Sequence, residues 1–260
     1  MDYRIAFANE KGGVAKTTST LSLGAVLAET GCRTLLVDLD PQANLSLAIG
    51  LEPGKIQKSS ASLLLDSISP AALIKNTEIA DLDVIGANSE TGMAERFLPG
   101  KPGYESILAK NLKSLSSQYD FILIDCPPFL GAVTLNALVA ANLLVIPTQA
   151  EFFSIYALRN LMGLVRRIRA QYNPQLTYRL LLTMVDRRNR THRDMSDQLR
   201  SSFNTGVLQN VIEIDTKLRE APIAGVPIIH YAPKSRSSFQ YRSLAQEILE
   251  YVKETAQQPA

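Results

Sequence analysis

Short apolar runs separated by amphipathic stretches set the rhythm of this chain. YRIAFAN (3–9), RTLLVDLD (33–40), LDVIGA (82–87), DFILIDCPP (120–128) and NLLVIPTQ (142–149) are apolar with little alternation. That is the pattern of strands buried on both faces. TYRLLLTMVD (177–186) and VLQNVIEID (207–215) repeat the form more loosely. Between the runs, helical spacing predicts helices over TTSTLSLGAVLAETG (17–31) and over about 104–117, 131–141, 154–172, 191–203 and 236–256. In the first of these, Leu21, Ala25 and Ala28 share a face and Gly31 is the stop signal. Strand and helix alternate throughout. The expected class is therefore α/β, a mostly parallel twisted sheet with helices on both faces. Linker composition never persists, so residues 1–260 read as one domain. Its least regular part, 51–81, reads as a surface excursion, and the last residues, 257–260, as a fraying tail.

Composition narrows the class. The chain has 260 residues, 46% hydrophobic and 20% charged, enough for one large core or two small ones. No apolar run reaches the length of a membrane span, and the N-terminus lacks a basic-then-apolar leader, so a cytoplasmic location is expected. Two cysteines imply no disulfide framework, and with two histidines they make no zinc pattern. Cys126 abuts Asp125 and Cys32 precedes the second strand, so neither suits an iron–sulfur ligand and both read as packing residues.

The net charge of +2 says less than its distribution. Arg166, Arg167 and Arg169 form one cluster, Arg187, Arg188, Arg190 and Arg193 a second, and Lys217, Arg219, Lys234 and Arg236 a third. A single such cluster is ordinarily a solvated helix face. The second and third, however, follow strands expected to end on the same side of the sheet. Tryptophan is absent and the nine tyrosines make no stacking array, which argues against single-strand base stacking.

Ligands of open parallel sheets sit beyond the carboxyl ends of the strands, and three such ends carry chemistry here. EKGGVAKTTS (10–19) follows the first strand. It fails the ordinary phosphate-loop pattern at Glu10 and Ala15, where glycine is required. Gly12 and Gly13 still let backbone N–H groups turn inward toward phosphate, at a helix N-terminus. Lys16 is placed to neutralise β and γ phosphates and Thr17 to offer a hydroxyl to Mg²⁺. Asp38 and Asp40 end the second strand, and Asp125 ends FILI, where a Walker-B carboxylate supports a metal, often through water. Each alone has a plainer reading, as a strand-to-helix turn, a helix cap or a strand end. All three at successive strand ends make coincidence a poor account.

KGGVAKTT, LLVDLDPQAN, FILIDCPP, PTQAEFFSIYAL and LREAP…PIIHYAPKSR together resemble the ParA/Soj branch of the ParA–MinD ATPases, from about residue 3 to residue 250. The weak stretch is 51–100. With no extension before the first strand, the chain resembles the short form lacking an added helix-turn-helix domain. The resemblance implies a slow, partner-stimulated ATPase that uses ATP and Mg²⁺. Residues Gly12, Gly13, Val14, Ala15, Lys16, Thr17 and Thr18 would cradle the nucleotide, with Met184 and Asp186 and the segment 213–215 near the adenine. Lys11 would reach the phosphates of the other subunit across an ATP-dependent homodimer, while Lys16 serves its own. Thr17 would bind Mg²⁺, with Asp38 and Asp125 supporting it through water. Asp40 would orient the attacking water, a positioning role like that of the glutamine in small GTPases. Arg188 and Lys217 would bind double-stranded DNA without sequence preference. A ParB-like or other cargo-adaptor protein would stimulate hydrolysis, at a nucleoid-associated location.

The chain departs from the family pattern at Ala15, at Glu10, and at Glu213-Ile214-Asp215, where Pro-Arg-Asn is common. The alternative is a MinD-like membrane-associated ATPase, which needs a terminal amphipathic helix with basic flanks. Residues 236–256 do carry a stripe of Tyr241, Ala245, Ile248 and Val252, but the polar side mixes Arg242 and Lys253 with Glu247, Glu250 and Glu254. A helix packed on the sheet explains that stripe better, and no stable membrane association is expected.

Overall fold

The computed structural model describes residues 2–66, 68–152 and 154–257; residues 258–260 of the tail lie outside the described residues. The strands are β1 (Tyr3–Phe7), β2 (Thr34–Asp38), β3 (Lys75–Asn76), β4 (Leu82–Ile85), β5 (Phe121–Asp125), β6 (Leu143–Gln149), β7 (Thr177–Val185) and β8 (Val207–Glu213). The helices are α1 (Lys16–Glu29), α2 (Asn44–Ala48), α3 (Ser60–Leu65), α4 (Met93–Phe97), α5 (Ile107–Lys113), α6 (Ala132–Ala140), α7 (Ser154–Gln171), α8 (Arg190–Phe203), α9 (Lys217–Glu220), α10 (Ile228–Tyr231) and α11 (Arg236–Gln257). The sheet order is β3-β4-β2-β5-β1-β6-β7-β8. Every pairing is parallel except the short β3 against β4.

That order places the site. β1, β5 and β2 are neighbours in the middle of the sheet, and Asp125 is in register with both Phe7 and Asp38. The loops that leave these strands therefore emerge side by side. Successive residues of each strand face opposite layers. Ala6, Val37, Ile124 and Ile146 join the core under α3 to α8, while Phe7, Leu36, Leu123 and Val145 join the core under α1, α2, α10 and α11. Continuous apolar runs are needed because both faces are covered. α1 lies so close to β2 that a Cβ on Gly24 would stand 2.6 Å from Leu36 Cδ2.

Two expectations need correction. Segment 51–81 is not a surface excursion alone: Ile56, Leu63, Leu64 and Leu73 are buried, and Lys75–Asn76 extends the sheet as its only antiparallel strand among the described residues. Its mixed composition hid short elements with few core contacts each. The helix read over 104–117 shortens to Ile107–Lys113. The hydroxyls of Ser114 and Ser116 bond back to the carbonyls of Asn111 and Lys113, competing with helical continuation.

Candidate nucleotide site

The loop between β1 and α1 turns twice through the left-handed region, at Gly13 (φ 72°) and at Ala15 (φ 66°). Such turns aim successive N–H groups into one concavity. The loop is braced from several sides. Asn9 Nδ2 donates to the Pro147 carbonyl at 2.8 Å, Asn9 Oδ1 accepts the Lys11 N–H at 3.0 Å, and the Thr183 hydroxyl donates to the Val14 carbonyl at 3.0 Å. Val14 itself is fully buried, so it contributes backbone and core packing rather than a side chain to the cavity. Gly12, Gly13, Ala15, Lys16, Thr17, Thr18, Asp40 and Met184 line a cavity of about 620 Å³ that continues over Leu218, Pro222 and Val226.

The two lysines of the loop part company. Lys16 is only 7% exposed, and its ammonium donates to the Lys11 carbonyl at 3.2 Å. Burial pulls its pKa down, and Asp125 is the largest influence opposing that. The Lys11 side chain leaves the cavity: its Nζ lies 2.6 Å from Gln149 Oε1 and 2.5 Å from Glu151 Oε2, at the end of β6. Glu10 also points away, accepting from Asn160 Nδ2 on α7 at 2.8 Å.

The carboxylates stack beneath the loop. Thr17 Oγ1 donates to Asp125 Oδ2 at 2.6 Å. Asp38 and Asp125 are fully buried side by side, and Asp40 is nearly so. Asp38 accepts the Asp40 N–H at 3.1 Å, the Ser46 N–H at 2.9 Å and the Ser46 hydroxyl at 2.7 Å. Asp40 accepts the Gln42 N–H at 2.9 Å. Burial pushes Asp38 up to about 6 and lifts Asp125 well above the usual carboxylate range, where the Asp38 charge adds to the effect. Neighbouring buried acids held this way are poised for a compensating cation. Among the described residues, no three His, Cys, Asp or Glu side chains converge as a complete metal cage. A hydroxyl, two carboxylates and the oxygens of a bound phosphate fit a hard cation that keeps part of its water shell.

Other candidates lie further out. Asp186 is not on this cavity. It pairs with Arg188 (Nε–Oδ1 3.2 Å) beside a second cavity of about 420 Å³ lined by Arg187, Glu213, Ile214 and Arg236. Glu213 is held by Arg187 at 3.0 Å and Arg236 at 2.9 Å. Met184 adopts a left-handed backbone (φ 54°) and its sulfur lies 2.9 Å from Gln149 Nε2. Lys217 is exposed, and so are Arg166, Arg167 and Arg169, which form a solvated face of α7. Cys126 is buried and Cys32 half-buried, both as free thiols. Sequence reasoning missed Ser46, Gln149 and Glu151. Ser46 lies two residues past LLVDLDPQAN, and Gln149 and Glu151 lie within PTQAEFFSIYAL, but nothing in their spacing along the chain pairs them with Asp38 or Lys11.

A family model described as an AAA domain matches residues 3–178. Over 245 residues the chain is 39% identical to the sporulation initiation inhibitor protein Soj of Bacillus subtilis (strain 168), covering 94% of this chain and 97% of that one. It is 36% identical over 246 residues to the chromosome partitioning protein ParA of Myxococcus xanthus (strain DK1622), covering 94% and 87%. A crystal structure of cobyrinic acid a,c-diamide synthase from Mycobacterium smegmatis with bound ATP analog and magnesium is similar with a TM-score of 0.87 at 32% identity, covering 100% of this chain and 99% of that one. Sheet order, a deviant phosphate loop and these relatives agree: the chain belongs to the ParA/Soj-type partition ATPases of the ParA–MinD family of P-loop ATPases.

Proposed function

We propose that this ATPase closes into a homodimer on ATP and Mg²⁺, binds double-stranded DNA without sequence preference in that state, and is released when a ParB-like or other cargo-adaptor protein stimulates hydrolysis. The observation that carries the reading is the divergence of the two loop lysines. Lys16 is buried under its own cavity, whereas Lys11 is turned outward to Gln149 and Glu151. A lysine at the rim is free to serve a second copy's phosphates once its carboxylate partner is exchanged. The same side of the molecule, beyond the carboxyl ends of the strands, exposes Leu47, Phe129, Phe152 and Ile223, apolar surface suited to a docked copy. Its basic side chains, Arg188 and Lys217, are exposed for phosphate contact.

In this mechanism Gly12 to Thr18 bind the phosphates through backbone N–H groups and Lys16. Thr17, already bonded to Asp125, would hold Mg²⁺, with Asp125 and Asp38 supporting it through water. When bound, the ion supplies charge neutralisation at the phosphate oxygens. Asp40, fixed by its own N–H to Asp38 and by Gln42, orients the attacking water. The MinD-like alternative needs a free apolar helix face. α11 uses that face in the core, with Tyr241, Leu244, Ala245, Ile248 and Val252 all buried. No helix among the described residues is long and apolar enough to cross a membrane. The reading is tested by DNA retention of the parent and of Asp40→Ala with ATP, with ADP and without nucleotide, over a salt series. The variant should stay dimeric and DNA-bound with ATP, with steep loss as salt rises. Equal retention in all three states would refute the switch.

A further inference from the structure

Glu95 reaches from α4 to the N-terminus of α6 and caps it from outside. Its Oε2 accepts the Ala132 N–H at 2.7 Å and its Oε1 accepts the Val133 N–H at 3.1 Å. Helix N-termini leave such donors without intrahelical partners, and a carboxylate there gains from the helix dipole as well. Gly131, at the cap position of α6, brings no side chain to do this, and a Cβ there would collide with Glu95 Oε2 and the Phe129 ring.

What Glu95 holds is the far end of the loop that leaves Asp125. The near end is fixed in the sheet, where the Cys126 N–H donates to the Phe7 carbonyl at 3.1 Å. Between the two, Pro128 lines the nucleotide cavity and Phe129 is 62% exposed. Glu95 is itself braced. Asn88 and Thr91 form a capping box just before α4, and Asn88 is bonded to Ser59 and to the Ile56 carbonyl. Gly92 packs on Pro41, the residue after Asp40; a Cβ there would lie 3.4 Å from the proline ring. The 88–97 unit thus touches both catalytic loops, the one that follows Asp40 and the one that follows Asp125.

We propose that Glu95 is a positioning residue for ATP hydrolysis, fixing the loop 126–131 against the Asp40 side of the site through the first turn of α6. The inference rests on the ATPase assignment and not on dimerisation or DNA binding. Because the chain has no tryptophan, Phe129→Trp gives a single fluorescent reporter on the loop. In that background Glu95→Ala should lower the anisotropy of the reporter and raise its acrylamide quenching. In the parent background it should lower kcat for ATP about tenfold or more, as expected for a loop displaced by a fraction of an ångström. KM should stay within about twofold, the signature of an interaction used in the transition state rather than in binding. Glu95→Gln keeps the length and one acceptor, and should recover kcat to within about threefold of the parent. Glu95→Asp is too short to reach both N–H groups and should behave like alanine; it carries the test if the alanine variant does not fold. Parental anisotropy and kcat in Glu95→Asp would overturn the proposal. So would a lower kcat that only tracks the folded fraction while the reporter stays rigid. A parent without hydrolysis would count against the ATPase assignment, and the reporter would then decide the loop's anchoring by itself.

Discussion

Replacing Ala15 with glycine should stabilise the protein, although it empties a helix cap position. Ala15 precedes α1 with φ 66° and ψ 34° and makes no side-chain cap. The left-handed conformation costs an L-residue about 1–2 kcal/mol. Glycine removes that cost but returns roughly 0.5–1 kcal/mol through the greater entropy of its unfolded chain. A Cβ-free residue loses no buried contact here, since Ala15 is only half-buried at the rim of the cavity. The net gain is then about 0.5–1 kcal/mol, or a rise in Tm of about 1–4 °C for a chain of this size. Ala43, before α2 with φ 53° and ψ 34°, carries the same strain but is 1% exposed, so glycine there also loses a buried methyl and should gain less. The control is Ala28→Gly, within α1 and 5% exposed, which should lose stability by about 1 kcal/mol. The assay is thermal unfolding followed by circular dichroism without nucleotide. A Tm for Ala15→Gly at or below the parent's would show that the strain argument fails, or that a neighbour holds the alanine methyl.

Asp38→Asn should change the pH dependence of stability. The folded pKa, about 6, lies above the ordinary value near 3.8 because of burial, so the native state holds the extra proton. That contribution is full below about 3.8 and is lost as pH rises through about 6. At about 1.4 kcal/mol per pH unit, the variant should gain on the parent by roughly 2.5 kcal/mol between pH 4 and pH 7.5 in urea unfolding; a flat difference would refute it. Gly24→Ala should lower stability by about 1–3 kcal/mol, because its Cβ would meet buried Leu36 at 2.6 Å; an unchanged urea midpoint would show slack between α1 and β2. Glu151→Gln removes the carboxylate from Lys11, a partly exposed pair worth under about 1 kcal/mol, so Tm should barely move. By light scattering, its ATP-dependent dimerisation should need up to about fivefold less ATP. A higher requirement would mean that Glu151 supports the dimer instead of restraining Lys11.

The parallel sheet was legible in the chain alone, because a strand buried on both faces has to be apolar at consecutive positions, and five of the seven strand runs are continuous enough to read without a partner. The sequence also determined which strand ends carry chemistry, since Gly12, Gly13, Lys16, Thr17, Asp38, Asp40 and Asp125 lie within or beside their own apolar runs. The short elements of 51–100 stayed illegible because each contributes only a few residues to the core and has no full helical period. Tertiary structure alone decided which loops meet. β5 lies between β1 and β2, so Asp125 stands beside Asp38 although 87 residues of chain separate them. It also decided the partners of the long side chains. Lys11 finds Glu151, Asp38 finds Ser46, and Glu95 finds the first turn of α6, through contacts that spacing along the chain does not encode. A local pattern fixes a residue's element and the face it lies on, whereas the direction of a charged side chain depends on which donors and acceptors the packed elements bring within reach.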